Sequence, residues 1–319
     1  MTPLDPEIVR RMAWLADYSP DQIAANPDIV KRIYQAFAPS AAYTLPAMAV
    51  EDVLIDGPLG IGSLRVRTYR PDKGARNGPA LVWVHGGGFI AGTLDEAEAD
   101  TVSREVADRS GCVVVSVDYH LSDAANGYPT LHEEVAAAFR WTRDNAVKLG
   151  CDAGRVVLGG ASAGGNLALM ATLLLRDQEE VNPAELFLVY PLLHRTPLPW
   201  RDSEPDFSGL SPLMRFTTES YDMMYGAYSA HWHGNAPYLS IEGHRLDGLP
   251  PCLVITSEYD DLRTSAEAFA DAAREAGVQV IEYLAREMTH GHLALTPEIG
   301  ETGRTLSLLA NRLVGLSAG

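Results

Sequence analysis

Apolar positions along the chain form short β-branched runs that alternate with longer amphipathic or wholly apolar segments. A short apolar run predicts a strand buried on both faces, and an apolar spacing of three and four residues predicts a helix. The predicted strands cover 48–55, 64–69, 80–84, 112–117, 155–158, 186–189, 252–256 and 278–284. The predicted helices cover 96–109, 131–147, the stretch after residue 162, 265–276 and 303–314. This alternation predicts an α/β protein with a mostly parallel, eight-stranded sheet and helices on both faces.

Two segments do not fit this alternation. Residues 5–40 carry apolar side chains at helical spacing, at Ile8, Val9, Met12, Leu15, Val30, Ile33, Tyr34 and Phe37. Residues 194–250 are rich in proline and aromatic residues and contain no clear strand pattern. Because this second stretch is too long for a plain connection, it predicts a helical insertion near the functional site.

The most informative short motif is Gly160-Ala161-Ser162-Ala163-Gly164, which lies between a predicted strand and a predicted helix. Gly-x-Ser-x-Gly in that context is typical of a nucleophile elbow, a sharp turn that exposes a serine hydroxyl. The residues two positions before and after the serine must be small, and both are glycine. The Ala163 N–H would lie at the helix start, where the helix dipole favours an anion. Ser162 is therefore the candidate nucleophile, and Ala163 is a candidate oxyanion donor.

A glycine-rich loop, His85-Gly86-Gly87-Gly88 followed by Phe89, comes directly after the third predicted strand. Three residues without side chains let backbone N–H groups approach a substrate oxygen closely. Loops of this composition supply oxyanion donors in lipases and esterases. We expect Gly87 and Gly88 to donate to an oxyanion, and His85 and Gly86 to support the loop.

The same loop allows a competing interpretation. Gly86, Gly88 and Ala91 match the dinucleotide-binding pattern Gly-x-Gly-x-x-Ala, and Asp118 follows the next strand as a candidate ribose ligand. This alternative predicts a dinucleotide-dependent oxidoreductase. It is the weaker hypothesis, because it leaves Ser162 unexplained and needs a helix that begins inside a Gly-Gly-Gly-Phe turn.

Candidate acids and bases follow the serine in the chain order that α/β hydrolases use. The acid should end a late strand, and Glu258, Asp260 and Asp261 stand there. The base should follow the last strand, and His290 and His292 stand there. A histidine in this place would take the serine proton, while a carboxylate would fix the tautomer of its ring. The pattern alone leaves three candidate acids and two candidate bases.

From about residue 60 to about residue 295, the chain resembles the bacterial hormone-sensitive-lipase-like esterases of the α/β hydrolase fold. The matching motifs are His85-Gly86-Gly87-Gly88-Phe89, Asp118-Tyr119-His120-Leu121 with Tyr128-Pro129, Gly160-Ala161-Ser162-Ala163-Gly164-Gly165-Asn166, Asp260-Asp261-Leu262-Arg263 and His290-Gly291-His292. The resemblance implies the α/β hydrolase fold, a serine carboxylesterase, Asp260 as the acid and His290 as the base. The chain departs from the family where Ala161 replaces an aspartate and Asp261 replaces a proline, which keeps Asp261 open as an alternative acid.

The resemblance also implies a helical cap, built from N-terminal helices and from an insertion after the sixth strand. Residues 1–45 and 194–250 occupy those places, which leaves 46–193 and 251–319 as the catalytic core. The candidate substrate-pocket residues are Phe89, Met214, Tyr221 and Met224. Met214, Met223 and Met224 could equally line an acyl pocket or fill the interior of the cap, since methionine adapts to irregular gaps.

Composition narrows the range of partners. Lysine and arginine number 25 against 42 aspartate and glutamate residues, and the formal net charge of −17 argues against nucleic acid and anionic membranes. The chain has no apolar run of membrane-spanning length and no signal-peptide core near its N-terminus, so we expect a cytoplasmic protein without a membrane partner. His231 and His233 have a spacing that a metal could use, but no third ligand is near them in the sequence, so we expect no metal and no other cofactor.

Together, these patterns predict an enzyme that hydrolyses small esters of short to medium acyl length through a Ser-His-Asp acyl-enzyme mechanism. A homodimer is compatible with them. A non-catalytic receptor for a small ligand on the same fold is the alternative. By the family resemblance, such receptors lose the base histidine, whereas this chain retains His290.

Overall fold

The computed structural model describes residues 3–19, 22, 26–36, 38–72, 77–179, 181–201, 203–208, 210–211 and 214–317. For four of the apolar positions in the predicted N-terminal helices, the structure does not describe the side chain. Phe37 and the side chains of Val30, Ile33 and Tyr34 lie outside the described residues.

Eight strands form one sheet within the described part of the chain. They are β1 (Ala49–Asp56), β2 (Ser63–Arg70), β3 (Gly78–Val84), β4 (Val113–Asp118), β5 (Cys151–Ala161), β6 (Leu186–Val189), β7 (Cys252–Tyr259) and β8 (Val280–Thr289). Their order across the sheet is β1-β2-β4-β3-β5-β6-β7-β8. Strand β2 is antiparallel to β1 and to β4, and the other neighbouring pairs are parallel. The prediction of a mostly parallel, eight-stranded sheet is therefore confirmed.

Helices cover both faces of this sheet. They are α1 (Pro6–Met12), α2 (Pro27–Ala36), α3 (Asp100–Ser110), α4 (Thr130–Asp144), α5 (Ala146–Leu149), α6 (Ala163–Glu179), α7 (Thr218–Ser229), α8 (Arg263–Glu275) and α9 (Gly300–Ser317). Helices α3 and α9 share one hydrophobic core with one face of the sheet. Helices α4, α6 and α8 share a second core with the opposite face.

The residues of strand β3 show that both faces of the sheet are covered by apolar cores. All seven of its residues are buried. Ala80 and Val82 belong to the core beside α4 and α6, whereas Leu81 and Trp83 belong to the core beside α3 and α9. Successive side chains of a strand point to opposite faces, so a continuous apolar run suits a strand covered on both faces.

Three strands run further than the apolar pattern predicts. Strand β5 continues through two glycines to Ala161, β7 continues to Tyr259, and β8 continues to Thr289. The added residues of β7 include Ser257 and Glu258, which are polar but buried. The predicted strands ended before glycine, serine or alanine, whereas the chain stays paired with its neighbours until it reaches the candidate functional residues.

The N-terminal segment packs at one edge of the sheet. Ile8, Met12 and Leu15 bury their side chains with Met288, at the end of β8, and with Leu295, in the loop that follows. This contact brings the first helices beside the strand end that precedes His290.

Residues 194–250, which we call the insertion, share the main core of the protein. Helix α7 turns Tyr221, Tyr225 and Tyr228 towards the core that contains α4 and α6. Leu239 and Ile241 join the same core from the loop beyond this helix. The insertion is therefore packed onto the α/β part through continuous apolar contacts.

The search for candidate membrane spans covered the helices of the described residues. None of these helices is both long enough and apolar enough to cross a bilayer.

Candidate active site

The turn between β5 and α6 holds Ser162 in a rare backbone conformation. Its φ is 54°, in the left-handed region that residues with a β-carbon seldom adopt. The Ser162 N–H donates to the carbonyl of Val189 at 2.9 Å, and the Ser162 carbonyl accepts from the Leu192 N–H at 3.1 Å. These bonds tie the turn to the end of β6, so the neighbouring strand supports the strained serine.

Glycines allow the chain to close up around this turn. A β-carbon on Gly160 would lie 2.4 Å from the carbonyl oxygen of Gly164. A β-carbon on Gly164 would lie 2.3 Å from the carbonyl oxygens of Val84 and His85. Because neither position has room for a side chain, both glycines of the motif are required by the close approach of β3, β5 and α6.

Ser162, His290 and Asp260 form one hydrogen-bonded chain. His290 Nε2 lies 2.9 Å from Ser162 Oγ, and His290 Nδ1 lies 2.8 Å from Asp260 Oδ2. Because a carboxylate can only accept, Nδ1 carries the ring proton, and Nε2 accepts from the serine hydroxyl. The other oxygen of Asp260 accepts the Leu262 N–H at 2.9 Å, which fixes the carboxylate in place.

Opposing effects act on the pKa of His290. Burial, the largest effect, disfavours the charged ring, whereas the negative charge of Asp260 and its hydrogen bond to Nδ1 favour it, and the charges of Glu98 and Asp261 add to them. The balance raises the pKa of His290 above its ordinary value of 6.5. The ring is therefore well suited to hold the proton that a nucleophilic serine gives up.

Two aromatic rings flank His290. The ring centroid of Tyr190 lies 4.9 Å from that of His290, and the ring of Phe216 lies 4.6 Å from it, both in edge-to-face geometry. Tyr190 follows β6, whereas Phe216 belongs to the insertion. These contacts restrict the ring of His290 to the plane in which it reaches both partners.

The glycine-rich loop takes backbone conformations that favour glycine. Gly87 has a φ of 111° and Gly88 a φ of 60°. A β-carbon on Gly87 would lie 1.9 Å from the carbonyl oxygen of Ala91, so no larger residue fits there. Within the described residues, neither the Gly87 N–H nor the Gly88 N–H donates to another protein atom. Both groups are thus available to a ligand beside Ser162.

His85 braces this loop from behind. Its Nδ1 lies 2.8 Å from the carbonyl oxygen of Gly86, and its ring stacks on Tyr119 with centroids 4.5 Å apart. The Tyr119 hydroxyl donates to the same Gly86 carbonyl at 3.0 Å. Burial lowers the pKa of His85, so the ring is neutral and acts through hydrogen bonds and packing.

The carboxylate of Asp261, the alternative acid, pairs with Arg215. Its two oxygens receive the guanidinium of Arg215 at 2.8 Å each, and one of them also accepts the Phe216 N–H at 2.8 Å. Arg215 lies over the ring of Phe207, 3.6 Å from its centroid. The carboxylate therefore binds the insertion, while Asp260 binds the histidine.

The other sequence candidates are held in different contacts. His292 is fully buried, with Nδ1 2.9 Å from Ser257 Oγ and Nε2 3.0 Å from Thr305 Oγ1. Burial lowers the pKa of His292 to about 3. Glu258 accepts the Glu287 N–H at 2.9 Å. These side chains support the ends of β7 and β8, so the structure brings neither of them to Ser162.

The candidate pocket residues lie in different places. Met224 covers the glycine loop, since its Sδ would lie 3.0 Å from a β-carbon on Gly88. Tyr221, one turn earlier on α7, is buried, and within the described residues its hydroxyl has no hydrogen-bond partner. Phe89 is buried against Tyr228, with ring centroids 4.5 Å apart. Met214 instead packs with the N-terminal apolar cluster.

Sequence reasoning missed three residues around the site. Tyr190 and Phe216 enclose His290, and Glu98 accepts the Gly86 N–H at 2.6 Å. Glu98 stands among other acidic residues between 95 and 100, a pattern that resembles a solvated surface loop. Tyr190 offered one signal, because it directly follows a predicted strand that ends at the same edge as the serine turn.

The geometry also rejects the dinucleotide interpretation. Helix α3 begins only at Asp100, so the glycine loop does not lead directly into a helix as the dinucleotide-binding pattern requires. Asp118, the candidate ribose ligand, pairs with Arg65 at 2.7 Å.

Comparison with known proteins identifies the family of this chain. Residues 81–294 match a family described by the α/β hydrolase fold. The chain is 32% identical over 285 residues to the carboxylesterase NlhH of Mycobacterium tuberculosis, with 84% of each chain covered. It is 32% identical over 303 residues to the carboxylic ester hydrolase LipN of the same organism, with 92% of this chain and 77% of LipN covered.

A solved structure shows the same architecture over the full length. The hyperthermophilic esterase from Pyrobaculum calidifontis superposes with a TM-score of 0.82 and 30% sequence identity, covering 100% of both chains. The dinucleotide-dependent oxidoreductase is therefore the wrong alternative. The chain belongs to the hormone-sensitive-lipase-like carboxylesterases of the α/β hydrolase fold.

Proposed function

We propose that this carboxylesterase hydrolyses small esters of short to medium acyl length through an acyl-enzyme on Ser162, with His290 as the base and Asp260 as the acid that orients it. The observation that carries the proposal is the unbroken chain from Ser162 Oγ through His290 to Asp260, with links of 2.9 and 2.8 Å. A nucleophile within reach of a base, itself oriented by a carboxylate, is the arrangement that covalent acyl transfer requires.

In the acylation step, Ser162 Oγ would attack the ester carbonyl carbon while His290 Nε2 takes the hydroxyl proton. The tetrahedral intermediate would then expel the alcohol, which receives that proton from the imidazolium. Asp260 stabilises the imidazolium and keeps the ring in the tautomer that the step needs. The raised pKa of His290 supports this role, because the charged ring has to persist until the alcohol leaves.

Oxyanion stabilisation would come from three backbone N–H groups. Gly87 and Gly88 supply two that are free of protein acceptors within the described residues, and Ala163 supplies the third at the start of α6. The helix dipole adds to the attraction for negative charge at that end. Donors that are fixed before the reaction need no reorganisation as charge develops on the oxygen.

Deacylation would use the same groups in reverse order. His290 would take a proton from water, the resulting hydroxide equivalent would attack the acyl carbon, and Ser162 Oγ would leave with the proton returned by the ring. The products are a carboxylic acid and an alcohol, and the enzyme regains its starting protonation state.

The insertion and the N-terminal helices, as the proposed cap, would limit the size of the acyl group. Phe216 lies against His290 and Met224 lies over Gly88, which supports a closed pocket beside the serine. Each methylene that fits adds about 0.8 kcal/mol, whereas overfilling a packed site costs about 1–3 kcal/mol. We therefore expect the best acyl chains to have about two to eight carbons.

A series of p-nitrophenyl esters from acetate to palmitate tests this expectation. The value of kcat/KM should peak within about eight carbons and fall beyond that length. Met224→Ala should move the peak to longer chains, because it removes a side chain above the loop. Met223→Ala is the matched control, since Met223 is 57% exposed and should leave the peak in place. A peak beyond about twelve carbons in the wild type would contradict the closed pocket.

The cytoplasmic location and the homodimer remain predictions at this stage. Fractionation of the cells that produce the protein would test the first, and sedimentation velocity over a range of concentrations would test the second.

A further inference from the structure

Glu98 connects the two halves of the candidate site. Its Oε2 accepts the Gly86 N–H at 2.6 Å, and its Oε1 accepts the Tyr190 hydroxyl at 2.7 Å. Its backbone carbonyl accepts the indole N–H of Trp83 at 2.8 Å, which anchors the residue to β3. One carboxylate thus holds the loop that carries the oxyanion donors and the ring that packs against His290.

The carboxylate lies close to the nucleophile. A β-carbon on Gly86 would lie 2.6 Å from Glu98 Oε2 and 3.0 Å from the β-carbon of Ser162. Glu98 and Ser162 therefore border the same small space at the base of the glycine loop. The segment around Glu98 carries several acidic residues, but Glu96 is exposed to solvent, whereas Glu98 is half-buried.

The bond to Gly86 sets the direction of the loop. Glu98 accepts the N–H of the His85–Gly86 peptide, while His85 and Tyr119 bind the carbonyl of the Gly86–Gly87 peptide, so neither peptide group can rotate freely. The next two N–H groups, those of Gly87 and Gly88, have no protein acceptor within the described residues. A displacement of about 1 Å in such a group can cost about 10²-fold in rate, so fixing the peptide matters for catalysis.

The bond to Tyr190 sets the packing of the base. Tyr190 is fully buried, and burial raises its pKa well above the ordinary value, with the charge of Glu98 adding to the effect. The phenol therefore remains a donor to the carboxylate. Its ring, held by that bond, lies edge-to-face with His290 at 4.9 Å.

We propose that Glu98 is a positioning residue for ester hydrolysis, which holds the oxyanion loop through Gly86 and the ring of His290 through Tyr190. This inference rests on the proposed acyl-enzyme function. Glu98 makes no bond to the nucleophile, so it acts through these two neighbours. The negative charge of Glu98 also favours the protonated form of His290. The pH dependence of activity should therefore change when this charge is removed, which a purely structural role would not cause.

The test is the pH profile of p-nitrophenyl butyrate hydrolysis by the full-length enzyme and its Glu98→Gln variant. Glutamine keeps the shape and can still accept from Gly86, but it removes the charge and changes the bond to Tyr190. We expect kcat to fall about tenfold with KM nearly unchanged, because binding groups are untouched. The midpoint of the acid limb of kcat/KM should move about 0.5 to 1 unit lower, since a nearby negative charge is lost.

Two further variants make the test decisive. Tyr190→Phe removes the bonded hydroxyl but keeps the ring, and should lower kcat by a smaller factor with less movement of the acid limb. Glu96→Gln removes an equal charge from the exposed neighbour and should match the wild type in both readouts. Circular dichroism spectra of each variant check that the fold is kept.

Wild-type kcat, or an acid limb in its wild-type position, in Glu98→Gln would overturn the inference. The two claims also fail separately. A Ser162→Ala variant that keeps turnover removes the acyl-enzyme mechanism and this inference with it. An inactive Ser162→Ala beside a wild-type profile for Glu98→Gln removes this inference alone.

Discussion

Two regions border the candidate site and are held in different ways. One consists of the strand ends that carry Ser162 and His290. The other is the part of the insertion that carries Arg215 and Phe216. The strand ends are fixed by parallel strand pairing and by glycines with no room for a side chain. The part of the insertion around Arg215 and Phe216 is fixed by polar side-chain contacts, above all by the pair between Arg215 and Asp261.

This difference has consequences for function. Atoms fixed by the backbone of a packed sheet keep their positions when a surface side chain changes. A segment fixed by a few polar side chains can shift when one contact is lost, and a partly exposed ion pair contributes little to stability. We therefore expect changes at the strand ends to abolish the chemistry, and changes in the insertion to adjust it.

The largest effect should follow from Ser162→Ala. Removing the nucleophile should lower kcat by about 10⁴ to 10⁶, because the oxyanion donors and substrate binding give only residual catalysis. The far-ultraviolet spectrum should not change, since the methyl group of alanine is smaller than the serine side chain that it replaces. Turnover above about a tenth of the wild-type value would show that another group is the nucleophile.

Asp260→Asn should have the next largest effect, with a loss of about 10⁴ in kcat. The amide would favour the wrong tautomer of His290, although the side chain keeps its shape. Asp261→Asn is the matched control, because the adjacent carboxylate faces Arg215 and should cost about tenfold or less. Equal losses in the two variants would mean that the acid role is not confined to Asp260.

The pH profile gives a smaller but continuous effect. Because the pKa of His290 is raised above 6.5, the base becomes protonated as the pH falls through that raised value. The acid limb of kcat/KM should therefore have its midpoint above 6.5, and each unit further down should cost about tenfold.

The sign for stability is the opposite of the sign for activity. The raised pKa means that the fold is stabilised by protonated His290 at low pH, and this contribution is lost as the pH rises through the raised value. His231→Asn is the control for both measurements, because this histidine is exposed. It should leave the pH dependence of kcat/KM and of stability unchanged. A midpoint clearly below 6.5 would contradict the effect of Asp260 on the ring.

The smallest effect is expected in the insertion. Arg215→Met keeps an apolar stem over Phe207 but breaks the pair with Asp261, so Phe216 loses part of its support. We expect kcat/KM to fall about threefold to tenfold, with longer acyl chains affected differently from short ones. Arg201→Met is the control. Arg201 also belongs to the insertion, but its exposed ion pair is with Asp271 on α8. A loss as large as that of Asp260→Asn would erase the distinction between the two regions.

The sequence predicted the sheet well, because central strands such as β3, β4 and β6 are short apolar runs that are buried almost throughout. It also placed Ser162, His290 and their spacing, since these residues follow strand ends in a fixed chain order. It could not choose between Asp260 and Asp261 from the pattern alone. That choice depends on Arg215, which comes from 46 residues earlier in the chain.

Contacts between residues far apart in the chain also explain why the sequence did not predict the other residues around the site. Phe216 reaches His290 only because its backbone N–H is bound by Asp261, and no periodicity in the insertion indicates this. Glu98 lies in an acidic stretch whose composition is typical of a solvated loop, so the sequence gives no indication of its bonds to Gly86 and Tyr190. Local patterns therefore predicted the strand ends, while the covering and supporting residues required the folded structure.

Covalent labelling tests the central claim most directly. One equivalent of diethyl p-nitrophenyl phosphate should release one equivalent of p-nitrophenol per chain, since Ser162 would attack the phosphorus and remain esterified. Mass spectrometry of the digested protein should find the diethylphosphoryl group on Ser162, and Ser162→Ala should release no p-nitrophenol above background. Labelling on a different residue, or undiminished release by Ser162→Ala, would contradict the assignment of Ser162 as the nucleophile.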